Sequence, residues 1–207
     1  MTDDARFWDR AAPRYAKSRI GNTAAYDATL DRVRHHLAAT DRVLETGCGT
    51  GTTALKLAGH VAAYTASDVS PAMIGIARDR AAAAGRTGIA FAVAGADGGD
   101  FEPETFDAVL GFNLLHLVRD LPGAIAHAHG LLKPGGLYIT KTACLGNMNP
   151  LIRLAVPVMQ LIGKAPFVHS LTRDSLEAAI RAGGFEIAEA RAFDGAPAAW
   201  FVVARKA

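Results

Sequence analysis

The sequence is short of the features that mark several classes of protein. It has two cysteines in 207 residues, Cys48 and Cys144, which is too few for a disulfide scaffold and forms no metal-ligand spacing. Both fall in turns at the ends of expected strands with one strand between them. That puts them roughly 10 Å apart, beyond the ~7 Å reach of a disulfide. No metal site is expected, and a reducing cytoplasm is the simplest setting. An excess of charge of one sign is also missing. The 22 Lys and Arg against 20 Asp and Glu leave a net charge of +2, without the concentrated basic face that a nucleic-acid partner requires. Long apolar runs are absent too. Residues 151–162 come closest, but Arg153 and Pro157 interrupt them and they are too short to span a bilayer. Met1-Thr2-Asp3-Asp4 has neither the basic nor the apolar region of a signal peptide.

What remains is a chain with 50% hydrophobic and 20% charged residues, a composition that folds rather than one that stays disordered. Its length suits one α/β domain over 1–207. Residues 42–46 read as a short apolar strand, 52–60 as a helix and 61–68 as a second strand. Residues 71–85 form a helix with Pro71 in its first turn and Gly85 at its C-terminal end. Residues 89–93 and 106–112 are the third and fourth strands, the latter apolar almost throughout, as a strand covered on both faces should be. A helix over 121–132 is stopped by Lys133-Pro134-Gly135-Gly136, and 137–142 is a fifth strand. Such alternation predicts a parallel sheet with right-handed crossovers. The ending differs. After a helix over 172–183, with Thr172 as its N-cap, strands 185–193 and 200–205 have no helix between them and should pair antiparallel. No internal repeat, low-complexity tract or linker divides the chain.

A parallel sheet binds ligands at the carboxyl ends of its strands, beside the switch in strand order. Val43-Leu44-Glu45-Thr46-Gly47-Cys48-Gly49-Thr50-Gly51 places a strand, an acid and three alternating glycines at that point, and the glycines let the backbone approach a ligand at positive φ. A phosphate-cradling loop needs glycine-lysine-serine/threonine after four spacers, and no such run exists. A dinucleotide fingerprint built on Gly47 and Gly49 would want glycine or alanine where Thr52 stands. Glu45, two residues before the first glycine, would also repel a pyrophosphate, whereas a sulfonium and an ammonium would be attracted. Asp68, at the end of the second strand, is placed to accept both hydroxyls of a ribose. The bland alternative is a glycine turn that serves only packing.

These segments resemble the landmarks of class I S-adenosylmethionine-dependent methyltransferases. Glu45–Gly51 is similar to the family's first motif and Ser67-Asp68-Val69-Ser70-Pro71-Ala72-Met73 to the next. Phe106-Asp107-Ala108-Val109 and Leu131-Leu132-Lys133-Pro134-Gly135-Gly136 resemble two later ones. The similarity runs in order over roughly residues 7–142. It implies a Rossmann-like α/β/α sandwich whose seven-stranded, mostly parallel sheet has the order 3-2-1-4-5-7-6 and an antiparallel terminal strand. It implies S-adenosylmethionine as methyl donor, with S-adenosylhomocysteine as product and a small, partly apolar or lipid-like molecule as acceptor.

Carried over by position, Glu45 would hold the methionine ammonium through water or backbone, and Gly47, Cys48 and Gly49 would line the methionine by backbone. Asp68 would bind the ribose, with Val69 and Met73 flanking the adenine. Ala96 and Asp97 fall where the family often has an Asp-Ala pair against the adenine amino group, here in reversed order. Asn113, just past the fourth strand, would line the transfer site. Arg6-Phe7-Trp8-Asp9-Arg10-Ala11-Ala12-Pro13-Arg14-Tyr15-Ala16-Lys17 resembles the N-terminal segment of ubiquinone/menaquinone-type methyltransferases, where an aromatic at the Tyr15 position closes over the cofactor.

Other features stay open at this level. His116 is either a general base near the transfer site or a loop histidine packed beside it. The remaining histidines considered, His35, His36, His127 and His129, are poorly spaced for one helical face. Arg6, Arg10 and Arg14 are either a solvated face or a basic rim for an acidic substrate. Residues 149–169 replace a short connection after the fifth strand, with Leu151, Leu154, Val158 and Leu161 in one helical stripe. They form an apolar lid over the substrate, or a surface packed on the core or on a second copy in a homodimer, or, as a third reading, a face that binds a membrane surface. Two further functional readings stand beside methyl transfer: a cofactor-binding module without catalysis, and a nicotinamide oxidoreductase, which Glu45 and Thr52 oppose.

Overall fold

The computed structural model describes residues 2–147, 166–196 and 198–207. Seven strands form one sheet: β1 (Arg42–Thr46), β2 (Ala63–Asp68), β3 (Ile89–Val93), β4 (Phe106–Phe112), β5 (Leu132–Ala143), β6 (Phe185–Arg191) and β7 (Ala199–Lys206). Their order is β3-β2-β1-β4-β5-β7-β6. The first five are parallel, and β7 runs antiparallel between β5 and β6. The expected order and the antiparallel end both hold.

Helices cover both faces. On one side lie α2 (Thr23–His36), α3 (Thr52–Leu57) and α4 (Pro71–Ala83), which bury Leu30, Val33, Leu57 and Ile74 against Val43, Leu110, Ile139 and Phe201. On the other, α5 (Leu121–Leu131) and α6 (Arg173–Ala182) bury Ile125, Leu176 and Ile180 against Leu44, Val109, Tyr138 and Val202. Alternate residues of β1 and β4 therefore serve opposite cores, which is why those segments read as nearly continuous apolar runs. A further helix, α1 (Asp3–Tyr15), packs on α4. Among the described residues no helix is long and apolar enough to cross a membrane.

Helix starts follow side-chain chemistry. Ser70 accepts from the Met73 N–H with Pro71 next in line, and Thr172 forms a reciprocal capping box with Ser175. Such caps are worth about 0.5–2 kcal/mol each. Three of the boundaries that differ from the sequence reading have a clear cause. The helix expected over 52–60 is α-helical only to Leu57 and tightens into a 3₁₀ turn over Ala58–His60. The second strand begins at Ala63 rather than 61, because the N–H groups of Ala62 and Ala63 both donate to the Asp41 carbonyl in a turn.

The third difference is at β5, which starts at Leu132, five residues early. Leu132 pairs with Phe106, the register then slips, and pairing resumes at Ala108 with Leu137. Lys133-Pro134-Gly135-Gly136 is thus a bulge within the strand and not a break before it. The Lys133 ammonium donates to Asp107 at 2.6 Å across it, which ties together the two later motif segments.

The helical stripe of Leu151, Leu154, Val158 and Leu161 lies outside the described residues, as does most of the 149–169 segment.

Candidate functional site

The glycine turn after β1 is shaped by backbone bonds. The Cys48 N–H donates to the Ser67 carbonyl at 2.9 Å and the Gly51 N–H to the Cys48 carbonyl at 3.0 Å. Gly47, Gly49 and Gly51 all have positive φ, between 54° and 76°. At two of them a side chain would also crowd a neighbour. A Cβ on Gly47 would lie 2.6 Å from Leu114 Cδ1, and one on Gly51 would lie 2.9 Å from the Ala77 Cβ. Gly51 therefore also lets α4 approach the turn.

Asp68 closes the next strand and is 8% exposed. One carboxylate oxygen accepts the Gly49 N–H and the other the Ser70 N–H, each at 2.9 Å. Burial raises its pKa while these two bonds oppose the rise. The Gly49 donor is committed to Asp68, so toward a ligand Gly49 offers close approach and not a free N–H.

Beside Asp68 opens a cavity of about 430 Å³. Tyr15, Gly47, Gly49, Asp68, Val69, Met73, Ala96, Asp97 and Asn113 all line it. Among the described residues its wall carries the aspartates Asp3, Asp4, Asp68 and Asp97 against a single cation, Arg119, which is paired with Asp4. Arg6, Arg10 and Arg14 are exposed and do not line it. Arg6 pairs with Asp3 of the cavity wall.

Glu45 and Cys48 face elsewhere. Both border a second cavity of about 960 Å³, whose wall also includes Tyr15, Gly47 and Asn113. Glu45 is 2% exposed and accepts the Tyr64 hydroxyl at 2.8 Å. Burial, helped by the nearby Asp68 charge and opposed by Tyr64, pushes its carboxyl up to about 8. The group is therefore largely protonated near neutral pH in the absence of a cation. The Cys48 thiol is held far above its ordinary value by burial and by Glu45 and Asp68, which leaves no reactive thiolate. Both cysteines are free.

Asn113 has φ 54°, unusual without glycine, and its N–H donates to the Lys141 carbonyl at 2.7 Å. Strain of this kind collects where a residue is held for function. His116, in contrast, lines neither cavity. Burial pushes its imidazole down to about 4, a poor general base near neutral pH.

Three contributors were not legible in the sequence. Asp9 on α1 accepts the Ser70 hydroxyl at 2.6 Å and the Ala72 N–H at 3.0 Å, docking α1 on the N-terminus of α4. Arg80 on α4 donates to the Thr50 hydroxyl at 2.7 Å and the Ala16 carbonyl at 2.6 Å, joining the glycine turn to the end of α1. Tyr64 holds Glu45. Each acts through a partner distant in sequence, and only Asp9, inside the N-terminal motif, carried a local signal.

The sheet order is that of the class I methyltransferase fold, with the glycine turn and an acid-lined cavity at the mouths of β1 and β2. A family model described as a methyltransferase domain matches residues 43–136, the stretch that holds the glycine turn, Asp68 and the two later motif segments. The ubiquinone biosynthesis O-methyltransferase of Methylocella silvestris is 37% identical over 101 residues, covering 49% of this chain and 39% of that protein. The chain therefore spans well under two thirds of that curated relative. Among solved structures, an S-adenosylmethionine-dependent methyltransferase of Thermotoga maritima matches with TM-score 0.75 at 20% identity, over 98% of this chain and 99% of the other. The [4+2]-cyclase SpnF matches with TM-score 0.77 at 19% identity, over 98% and 94%.

Proposed function

We propose that the chain transfers the methyl group of S-adenosylmethionine to a small, partly apolar acceptor, giving S-adenosylhomocysteine. The carrying observation is Asp68: both of its oxygens are aimed by backbone donors from the two motif turns, beside a cavity lined with acids. A carboxylate so fixed has lone pairs left for the two hydroxyls of a ribose, and the surrounding acids favour a cationic nucleoside over a phosphate-bearing one.

In this reading Val69 and Met73 flank the adenine, with Ala96 and Asp97 at its edge. Gly47, Cys48 and Gly49 wall the methionine part, and Glu45 takes its ammonium across the second cavity. Asn113 lies where the two cavities meet and borders the transfer point. Tyr15 borders both cavities as well and packs edge-on against Trp8, 6.2 Å between ring centres. Together they cover the nucleoside. When bound, S-adenosylmethionine supplies an electrophilic methyl on a sulfonium, which an acceptor lone pair takes as the carbon–sulfur bond breaks. The protein's part is orientation and the exclusion of water, with no general base assigned.

Calorimetry with S-adenosylmethionine, S-adenosylhomocysteine and NAD(H) tests the donor. Binding of NAD(H) with none of the two sulfur nucleosides overturns the reading. The relative named for ubiquinone biosynthesis puts a hydroxylated quinone precursor first among acceptors to try. The likeness to a cyclase on the same fold supports a second reading, in which the nucleoside is bound without methyl transfer. Binding of the donor with no product across a broad set of oxygen, nitrogen, carbon and sulfur acceptors favours that reading.

A further inference from the structure

The second cavity holds a cation that no carboxylate of the described residues answers. Lys141 is half-buried near the carboxyl end of β5, paired in register with Phe112 of β4. Its ammonium donates to the Thr29 hydroxyl at 2.7 Å and the Ala25 carbonyl at 3.5 Å, both on α2, and lies 5.4 Å from the centre of the Phe193 ring. All three partners are neutral, and among the described residues no acid pairs with it. Of the other cations on the described wall, two are already engaged. Lys56 pairs with Asp27 and lies over Tyr26, Arg80 is tied to the glycine turn and α1, and Arg19 is exposed. Burial lowers the Lys141 pKa with no opposing charge to raise it. A partly desolvated ammonium with only neutral partners gains from an anion of matching shape.

The same cavity supplies the complement. Glu45 on β1 pairs with Leu110 of β4, and Leu110 pairs with Ile139 of β5, two residues before Lys141. Side chains alternate along a strand, so Glu45 and Lys141 project from the same face of the sheet into the same cavity. One end can neutralise an ammonium and the other a carboxylate.

We propose that Lys141 binds a carboxylate in the second cavity. The proposal rests on reading the first cavity as the donor's nucleoside site. The carboxylate has two sources: the amino-acid end of the donor, reaching past Asn113 with its ammonium toward Glu45, or an acidic group on the acceptor.

Three probes separate them in the full chain and its K141M and K141R variants, with melting temperature confirming the fold: S-adenosylhomocysteine, 5′-methylthioadenosine, which lacks the amino-acid end, and benzoate. If the donor is the source, K141M weakens S-adenosylhomocysteine at least tenfold, leaves methylthioadenosine unchanged, and K141R recovers part of the loss. If the acceptor is the source, both nucleosides bind K141M normally, while benzoate binds the nucleoside-loaded wild type and not K141M. A folded K141M that binds all three like the wild type overturns the proposal, as does equal weakening of both nucleosides. Should K141M not fold, K141Q replaces it. If the wild type binds neither nucleoside, the reading of the first cavity fails on its own. Benzoate titrated into ligand-free wild type and K141M then decides Lys141, with equal binding or none overturning it.

Discussion

Gly49 and Asp68 are joined directly: the backbone N–H of the middle glycine of the turn donates to the Asp68 carboxylate at 2.9 Å. The turn after β1 and the acid after β2 therefore form one unit, and the acid holds the turn as well as facing the cavity. Asp68→Ala should leave the Gly49 and Ser70 donors without partners. Losing buried charged hydrogen bonds costs about 1–3 kcal/mol, so the melting temperature should fall. Affinity for S-adenosylhomocysteine should drop by a comparable free energy, roughly ten- to hundredfold. Asp68→Asn keeps an acceptor and should recover part of the stability but little of the binding. An unchanged dissociation constant in Asp68→Ala would remove the residue from the site.

Gly51 tests the packing of the same turn. At φ 76° a side chain is strained, and its Cβ would sit 2.9 Å from that of Ala77. The backbone part costs about 1–2 kcal/mol and the overlap adds to it. Ala77→Gly should relieve only the overlap while costing about 1 kcal/mol of helix propensity. In a double-mutant cycle followed by urea denaturation, Gly51→Ala and Ala77→Gly should couple favourably by roughly 0.5–3 kcal/mol. Strict additivity would show that the two atoms do not compete for space.

What was legible in the sequence was what local pattern controls. β1 and β4 could be read because both faces are buried, and the turn because its glycines and Glu45 lie within a few residues. The start of β5 was misplaced because Lys133-Pro134-Gly135-Gly136 has the composition of a terminator. Only the pairing of Leu132 with Phe106 and the Lys133–Asp107 bond show that the strand continues through it. Glu45 was legible as an acid beside the glycine turn, but not as a buried carboxyl raised to about 8. That follows from burial beneath Tyr64, a neighbour supplied by another strand. His116 was near the site in sequence and yet is absent from the wall of either cavity, because proximity along a loop does not fix where a ring points.

Glu45 gives a pH dependence with a definite sign. Its carboxyl is raised from 4.5 to about 8 in the folded chain, so the folded state retains a proton that the unfolded state has lost. Its contribution to stability is fully present below about 4.5 and is lost progressively as pH rises through about 8. Glu45→Gln should flatten that part of the stability curve. A cation in the second cavity favours the ionised form, so binding S-adenosylmethionine near pH 7 should release up to one proton. Affinity should then rise with pH between 6 and 8. Calorimetry in buffers of different ionisation enthalpy reads the proton directly. A wild type that releases none, or a Glu45→Gln variant that releases the same amount, would contradict this assignment.

Asp9 tests whether α1 is part of the site or only adjacent to it. Its carboxylate accepts the Ser70 hydroxyl and the Ala72 N–H at the start of α4, where the helix dipole also favours negative charge by about 0.3–1 kcal/mol. Tyr15 and Trp8, which border the first cavity, ride on the same helix. Asp9→Ala should loosen α1 while the sheet stays intact. Amide exchange should quicken over Asp3–Tyr15 with little change in β1 or β4, and dissociation of S-adenosylhomocysteine should speed up more than its association slows. Asp9→Asn, which keeps one acceptor but no charge, should fall between the two. Faster exchange across α1 with an unchanged dissociation rate would mean that α1 packs against α4 without covering the nucleoside, and would take Tyr15 out of the site.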